Sequence, residues 1–378
     1  LTHPAIYLNG CDELEFYLYK IHTYNTIMDQ LLSSLNDRGY AIVPDILNET
    51  ECNELVDAFW NYWGWLSDGA INRDDTWTWD NLLKFCPRHG MLVQNYYSGH
   101  MQKIWDLRCH AGVKSVYSAI WNTDGLTTSF DGISTSLPPE IIGAGFHEND
   151  WLHLDQSPHR NDFECVQGWV TPLDVGAEDG TLVVLENSHR FHGEFAQHFG
   201  LKQNRKFAKD WFRLQPEHIQ WFLDKGCRRV CIECPKGSMV VWDSRTVHCG
   251  KGPTLGRAEP NIRMVSYISM MPLSMLNKKD MVKKKKALLK GQLTSHWAAK
   301  NVTLFPIIPK IRGANIPQIK PYQPPKLTME GVLLSGWVEQ PETCPLLIED
   351  AEERRLACLE QIPMVEQEWQ DVCRIKKK

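Results

Sequence analysis

Between residues 127 and 270 the chain breaks into short apolar runs of strand type, each closed by turn residues: Thr127–Phe130, Trp151–Asp155, Cys165–Val170, Thr181–Leu185, Arg229–Glu233, Ser238–Trp242 and Ile262–Met270. Runs this short and this regularly punctuated build a barrel or a sandwich, because no single strand is long enough to bury a core by itself. The flanks read differently. Residues 26–63 give helix, strand, helix, with Tyr40–Val43 closed by Pro44. Asn48 and Glu51 form a capping box ahead of Leu55, Phe59, Tyr62 and Trp63 at helical spacing. A helix is expected near 100–120, and a helical insert over 191–225 interrupts the strands. The fold class is therefore α+β, a β core buttressed by helices in both flanks.

The 378 residues suffice for one large domain or two ordinary ones. The expected division is 1–300 as one unit, with a helical layer over 1–126 and the β core over 127–272. Residues 301–378 follow as a proline-rich connection and a helical extension packing on the same domain. A net charge of −5 gives no overall footprint for nucleic acid, and no apolar run is long enough to span a bilayer. Seven lysines against one aspartate over 278–290 read as a solvated helix face, with a docking surface for an acidic partner as the alternative. The 12 scattered cysteines suit a reducing, intracellular and cytoplasmic setting. Residues 1–20 lack the pattern of a signal peptide, and the chain starts on Leu1, which leaves room for a segment upstream. Of the 15 tryptophans, five fall between Trp60 and Trp79, where packing is the simplest role.

The chemistry gathers around Trp151-Leu152-His153-Leu154-Asp155. Alternate strand residues share a face, so His153 and Asp155 point together while Leu152 and Leu154 pack behind them. His-x-Asp alone is a weak signal. It gains force from His248, which follows the strand Ser238–Trp242 and a polar turn. Two histidines and one carboxylate on one face, with open positions opposite, suit non-haem Fe(II). A keto-acid chelating such a metal needs a cation for its far carboxylate, and arginine offers a planar two-donor fork. Arg263, at the start of an apolar strand, is the better placed; Arg257, in a Gly/Pro-rich loop, is the alternative.

Taken in order, His153-x-Asp155, Asp179–Leu185 leading to Ser188-His189, Trp242-Asp243 with His248, and Arg263 resemble the phytanoyl-CoA dioxygenase (PhyH-like) family of Fe(II)/2-oxoglutarate oxygenases. Ser129-Phe130-Asp131-Gly132, His153–Pro158 and Thr294-Ser295-His296-Trp297 resemble an uncharacterised microbial and fungal branch of it. The resemblance implies a double-stranded β-helix (jelly roll, cupin-like). It also implies Fe(II) on His153, Asp155 and His248, 2-oxoglutarate anchored by Arg263, and O2 as oxidant. With Asp155 present, hydroxylation of a C–H bond is implied over halogenation. Three positions depart from the family pattern: Glu186-Asn187 where Pro-Gly is usual, Val265 where a serine often follows the arginine, and a long interval from His248 to Arg263. His189 is not expected to bind iron.

Asp131, Gln156 and Trp169 are the substrate-contact candidates, each on or beside a core strand. The substrate is expected to be a small molecule or a protein side chain. Cys227, Cys231 and Cys234 lack a second zinc half-site, and His147-Glu148 lacks the second histidine of a zinc-protease helix. The competing function is a binding or scaffold protein on the same fold, with the lysine-rich segment as its working surface.

Overall fold

The computed structural model describes residues 26–143 and 151–375, so Cys11, His147-Glu148 and the terminal Lys376–Lys378 lie outside the described residues. Helical residues 26–38 (α1) lead into β1 (Tyr40–Val43) and α2 (Glu49–Leu66), followed by β2 (Leu92–Val93), α3 (Gln102–Cys109) and α4 (Ala111–Trp121). Then come β3 (Leu126–Thr128), β4 (Ile133–Ser136), α5 (Pro139–Ile142), β5 (His153–Leu154), β6 (Val166–Val170) and β7 (Thr181–Glu186). The insert holds α6 (His192–His198), β8 (Phe212–Arg213) and α7 (Pro216–Asp224). The core closes with β9 (Arg228–Cys231), β10 (Met239–Asp243), β11 (His248–Lys251), β12 (Arg263–Tyr267) and β13 (Met270–Pro272). Three helices complete the chain: α8 (Lys278–Lys290), α9 (Met329–Leu334) and α10 (Ala351–Ile375).

The strands form the two sheets of a double-stranded β-helix, ordered β1-β10-β6-β12-β4-β2 and β8-β5-β11-β7-β9, with β13-β3 as a separate pair. All pairings are antiparallel. Four features differ from the reading of the sequence. The run Ile262–Met270 is two strands, β12 in the large sheet and β13 against β3. Residues 133–136, too polar to read as a strand, are one because both neighbours pair with them. The helical insert is broken at β8, which pairs with β5. His248-Cys249-Gly250-Lys251 has no alternation to announce a strand, yet it sits between β5 and β7.

The N-terminal layer packs on the large sheet. Asn48 caps α2 through the Glu51 amide, with the Glu51 carboxylate returning to the Asn48 amide. Leu55, Phe59 and Trp63 are fully buried, and the Trp63 indole N–H donates to Thr135 Oγ1 at 3.2 Å. Trp60 and Trp79 meet at 5.0 Å between ring centres, so most of the tryptophan cluster is packing; Trp77 is the exception, 91% exposed.

The lysine-rich segment is helical, but it is not an open basic surface. Lys278 pairs with Glu339 and Glu368, and Lys286 and Lys290 both pair with Glu366, which tie α8 to the C-terminal segment. Lys284 is fully buried. Its three N–H groups meet Thr127 Oγ1 (2.6 Å), the Thr128 carbonyl (2.8 Å) and the Ala298 carbonyl (2.8 Å). Burial pushes its ammonium well below the usual lysine range, with Arg108 adding to the effect. One apolar cluster joins Val282, Leu288 and Val332 with Cys358 and Val365, and reaches Trp105 and Phe130. Polar charge runs alone cannot reveal this, because the partners lie in distant acidic stretches.

Gly39 sets the entry of β1. Its φ is +86°, and a Cβ there would meet His189 Nδ1 and Thr246 Oγ1 at 2.5 Å each. Its carbonyl accepts from the Asp243 amide and the Thr246 hydroxyl, which fixes the turn before β11. Gly69, at φ +82°, has nothing within 4 Å of a Cβ. Gly69→Ala should therefore cost about 1 kcal/mol for the left-handed backbone alone. Gly39→Ala should cost about 1–3 kcal/mol beyond that from overpacking, as read from urea unfolding midpoints.

Candidate active site

Pairing of β11 with β5 sets His248 directly opposite His153. Their rings are 4.4 Å apart, and Asp155 lies against both. His153 Nε2 is 3.5 Å from Asp155 Oδ1, and His248 Nε2 is 3.2 Å from Asp155 Oδ2. All three side chains are buried, and one ligand atom from each falls within 4.8 Å of the others. Among the described residues, this is the group able to hold a metal ion.

The second contacts of the two imidazoles fix their tautomers. His153 Nδ1 faces the Trp151 carbonyl at 3.1 Å, and His248 Nδ1 faces the Thr246 carbonyl at 2.9 Å. A carbonyl only accepts, so each Nδ1 carries its proton and each Nε2 keeps a lone pair aimed at the shared centre. Gln167 donates to Asp155 Oδ2 at 2.9 Å. The Trp242 indole N–H lies 3.2 Å from His248 Nε2, a contact that a metal on that lone pair displaces. Burial lowers the basicity of His153. Burial alone would raise the Asp155 carboxyl, but positive charge on the His153 and His296 rings, where they are protonated, holds it well below the usual range. This donor set of two neutral nitrogens and one carboxylate oxygen fits Fe(II).

The triad opens into a cavity of about 250 Å³. Aromatic side chains dominate its wall: Trp151, Trp211, Trp242, Tyr267, Trp297 and Phe305. Arg263 reaches in from the start of β12. Its Nε donates to Ser134 Oγ (3.3 Å) and its Nη1 to the Gly180 carbonyl (2.8 Å), and among the described residues no carboxylate pairs with it. Its guanidinium lies 5.7 Å from the Trp169 ring, and the Tyr267 phenol is hydrogen-bonded to it. With Val265 where a serine is common in the family, Ser134 of β4 and Tyr267 are the hydroxyls that meet Arg263. Arg257 is different. Glu140 holds it at 3.0 Å and Asp179 at 2.5 Å, and it lies outside the cavity lining.

Of the three substrate-contact candidates, Asp131 lines the cavity and the other two do not. Gln156 turns away: its amide donates to the Arg160 and Asp162 carbonyls, and its oxygen accepts from Ser244. Trp169 is fully buried in a core cluster with Tyr40, Val240 and Trp242, backing Arg263 rather than facing the cavity. Its neighbour two residues earlier, Gln167, is the one that faces inward. His189 bonds the Asn36 carbonyl, away from the triad. Cys227 and Cys234 belong to different core clusters.

Several wall residues carried no role in the sequence. Ser295, His296 and Trp297 come from the segment between α8 and the proline-rich stretch, and Thr303 and Phe305 from just beyond. His296 Nδ1 lies 3.9 Å from Asp155 Oδ2, while its buried Nε2 has no hydrogen-bond partner among the described residues. The motif Thr294–Trp297 was the available signal, since a polar-aromatic run after a helix has no packing reason of its own.

The phytanoyl-CoA dioxygenase (PhyH) family model matches residues 35–253. The chain is 31% identical over 237 residues to Ava biosynthesis cluster protein O of Aspergillus versicolor, covering 58% of this chain and 71% of that protein. Solved structures with a distant likeness include GlcNAc Inducible Gene 2 of Candida albicans (14% identity, TM-score 0.49, 91% of this chain and 84% of that one). Another is EctD from S. alaskensis with 2-oxoglutarate and 5-hydroxyectoine (12% identity, TM-score 0.43, 75% and 84%). A third is the epimerase SnoN with Fe3+, alpha ketoglutarate and nogalamycin RO (14% identity, TM-score 0.40, 66% and 85%). The family match and the fungal relative carry the conclusion that this chain belongs to the phytanoyl-CoA dioxygenase family of Fe(II)/2-oxoglutarate-dependent oxygenases.

Proposed function

We propose that the protein hydroxylates a C–H bond of a small molecule, with Fe(II) held by His153, Asp155 and His248 and 2-oxoglutarate anchored by Arg263. The observation that supports this best is the convergence of both imidazole Nε2 lone pairs and one carboxylate beside an arginine that lacks a carboxylate partner among the described residues. When bound, the metal and 2-oxoglutarate together supply the oxidising chemistry: O2 is consumed, 2-oxoglutarate becomes succinate and CO2, and one oxygen enters the substrate.

The chain's own residues set the conditions for that chemistry. The Trp151 and Thr246 carbonyls keep the two histidines in the metal-binding tautomer. Gln167 orients Asp155 and takes up a lone pair that a metal does not use. Arg263, positioned by Ser134 and Gly180, offers its remaining donors to the far carboxylate of 2-oxoglutarate. The aromatic wall excludes water and leaves room for a compact substrate. The relative's name places it in a biosynthesis cluster, which agrees with a small-molecule substrate for this chain. The scaffold alternative loses support, because Lys278, Lys285, Lys286 and Lys290 are engaged with Glu339, Glu366 and Glu368, Lys283 with Asp280, and Lys284 is buried.

Purified protein with Fe(II) and 2-oxoglutarate should form succinate, slowly even without substrate, and His248→Ala should form none. Absence of turnover in the unmutated protein across a substrate panel would contradict the proposal. Arg263→Gln should raise the KM for 2-oxoglutarate roughly 10–100-fold, the loss of one charge-assisted contact. Arg257→Gln should leave that KM unchanged and lower the melting temperature, since it breaks the Glu140 and Asp179 pairs. Gln167→Leu should weaken metal binding about 10–100-fold, measured by competition with a chelating dye.

A further inference from the structure

The cavity wall holds three carboxylates, and among the described residues only Asp131 has no basic side chain in contact with its oxygens. Asp155 is taken up by the histidines and Gln167. Asp210 is paired with Arg160 at 2.5 Å and accepts from the Ser157 amide at 3.0 Å. Asp131 is 4% exposed, and both donors it accepts from, the Gly132 amide (2.7 Å) and Gln94 Nε2 (3.2 Å), fall on Oδ1. No described basic side chain pairs with its carboxylate. Arg108 donates to the Asp131 backbone carbonyl, and its charge and the His296 ring act on the carboxylate from nearby without touching it. A buried carboxylate without a counter-ion is unfavourable, and such a group in a ligand cavity invites a cation.

The surroundings point the same way. Trp211 and Phe305 line the cavity, while Trp151 is stacked on His89 and His153 and Trp297 carries Arg160; aromatic faces attract both flat rings and ammonium groups. Burial raises the Asp131 carboxyl above its ordinary range, the direction that an incoming cation would reverse. Arg88, which like Arg263 lines the wall without a carboxylate partner among the described residues, makes the opposite case for an anion. It is exposed and lies 5.9 Å from the Trp211 ring, so water and the ring both stabilise it unpaired. Asp131 has neither.

We propose that the substrate is a flat aromatic molecule bearing an ammonium group, which Asp131 Oδ2 receives while Trp211 and Phe305 pack against its ring. The proposal rests on the oxygenase reading of the same cavity. It is tested by calorimetry on the full chain loaded with Mn(II) and 2-oxoglutarate under argon. The probes are tryptamine, tryptophol and indole-3-propionate, which share a ring and differ in charge. Tryptamine should bind at least tenfold more tightly than either of the others. Asp131→Asn, which keeps the Oδ1 acceptor for Gly132 and Gln94, should erase that preference and leave tryptophol binding as a check on folding. Equal affinities, tightest binding by indole-3-propionate with loss in Arg88→Gln, or no binding by any probe would each overturn it. Succinate formation by the same preparation with Fe(II) keeps the two readings apart. Turnover without an ammonium preference sinks the substrate class alone, whereas an ammonium preference without turnover on any amine tested contradicts the oxygenase reading.

Discussion

One strand register carries the site. His248 faces His153 because β11 pairs with β5 at that residue and with β7 on its other side, at Val184. A slip of one residue would turn His248 to the opposite face and bring Cys249 or Val247 to the triad. Several contacts resist such a slip. The Val247 amide donates to Ser188 Oγ, and the Leu185 amide to the Val247 carbonyl. Asp243 binds Arg245 through both carboxylate oxygens, and Gly39 accepts from both ends of the turn. The altered turn Glu186-Asn187 is absorbed within this network. Asn187 takes φ +72°, tolerated by asparagine, and Glu186 pairs with Arg228 and Arg38.

The His-x-Asp pair was legible because strand periodicity decides which side chains share a face, and that holds even though β5 itself spans only His153–Leu154. Arg263 was separable from Arg257 by the apolar run it begins. Asp131 and Gln167 could be seen as near the core, but not which way each pointed. Gln156 and Trp169 show why: in a closed double sheet, both faces of a strand can be buried, so alternation no longer separates cavity from core. β11 was hidden for a related reason, since its burial comes from neighbours on both sides rather than from its own composition.

The C-terminal extension was the least legible part. Its charge runs suggested a face for water or for a partner, yet the lysines of α8 meet acids from Glu339 onward, and Lys284 is the buried anchor of the segment that walls the cavity. That segment is tied further by the Thr294 hydroxyl, which accepts from the Phe130 amide, and by the Thr294 amide, which donates to the Phe130 carbonyl. His296 and Trp297 thereby share the cavity wall with Asp131, which follows the end of β3 by three residues. Core and extension thus meet at the cavity, whose wall draws on both parts of the chain.

The most direct measurement is an anaerobic crystal structure with Fe(II) and 2-oxoglutarate, recorded at the iron absorption edge. The account predicts one anomalous peak about 2.0–2.2 Å from His153 Nε2, His248 Nε2 and an Asp155 oxygen, with the distal carboxylate of 2-oxoglutarate on Arg263. A peak elsewhere, no peak, or a carboxylate seated on Arg257 would contradict it.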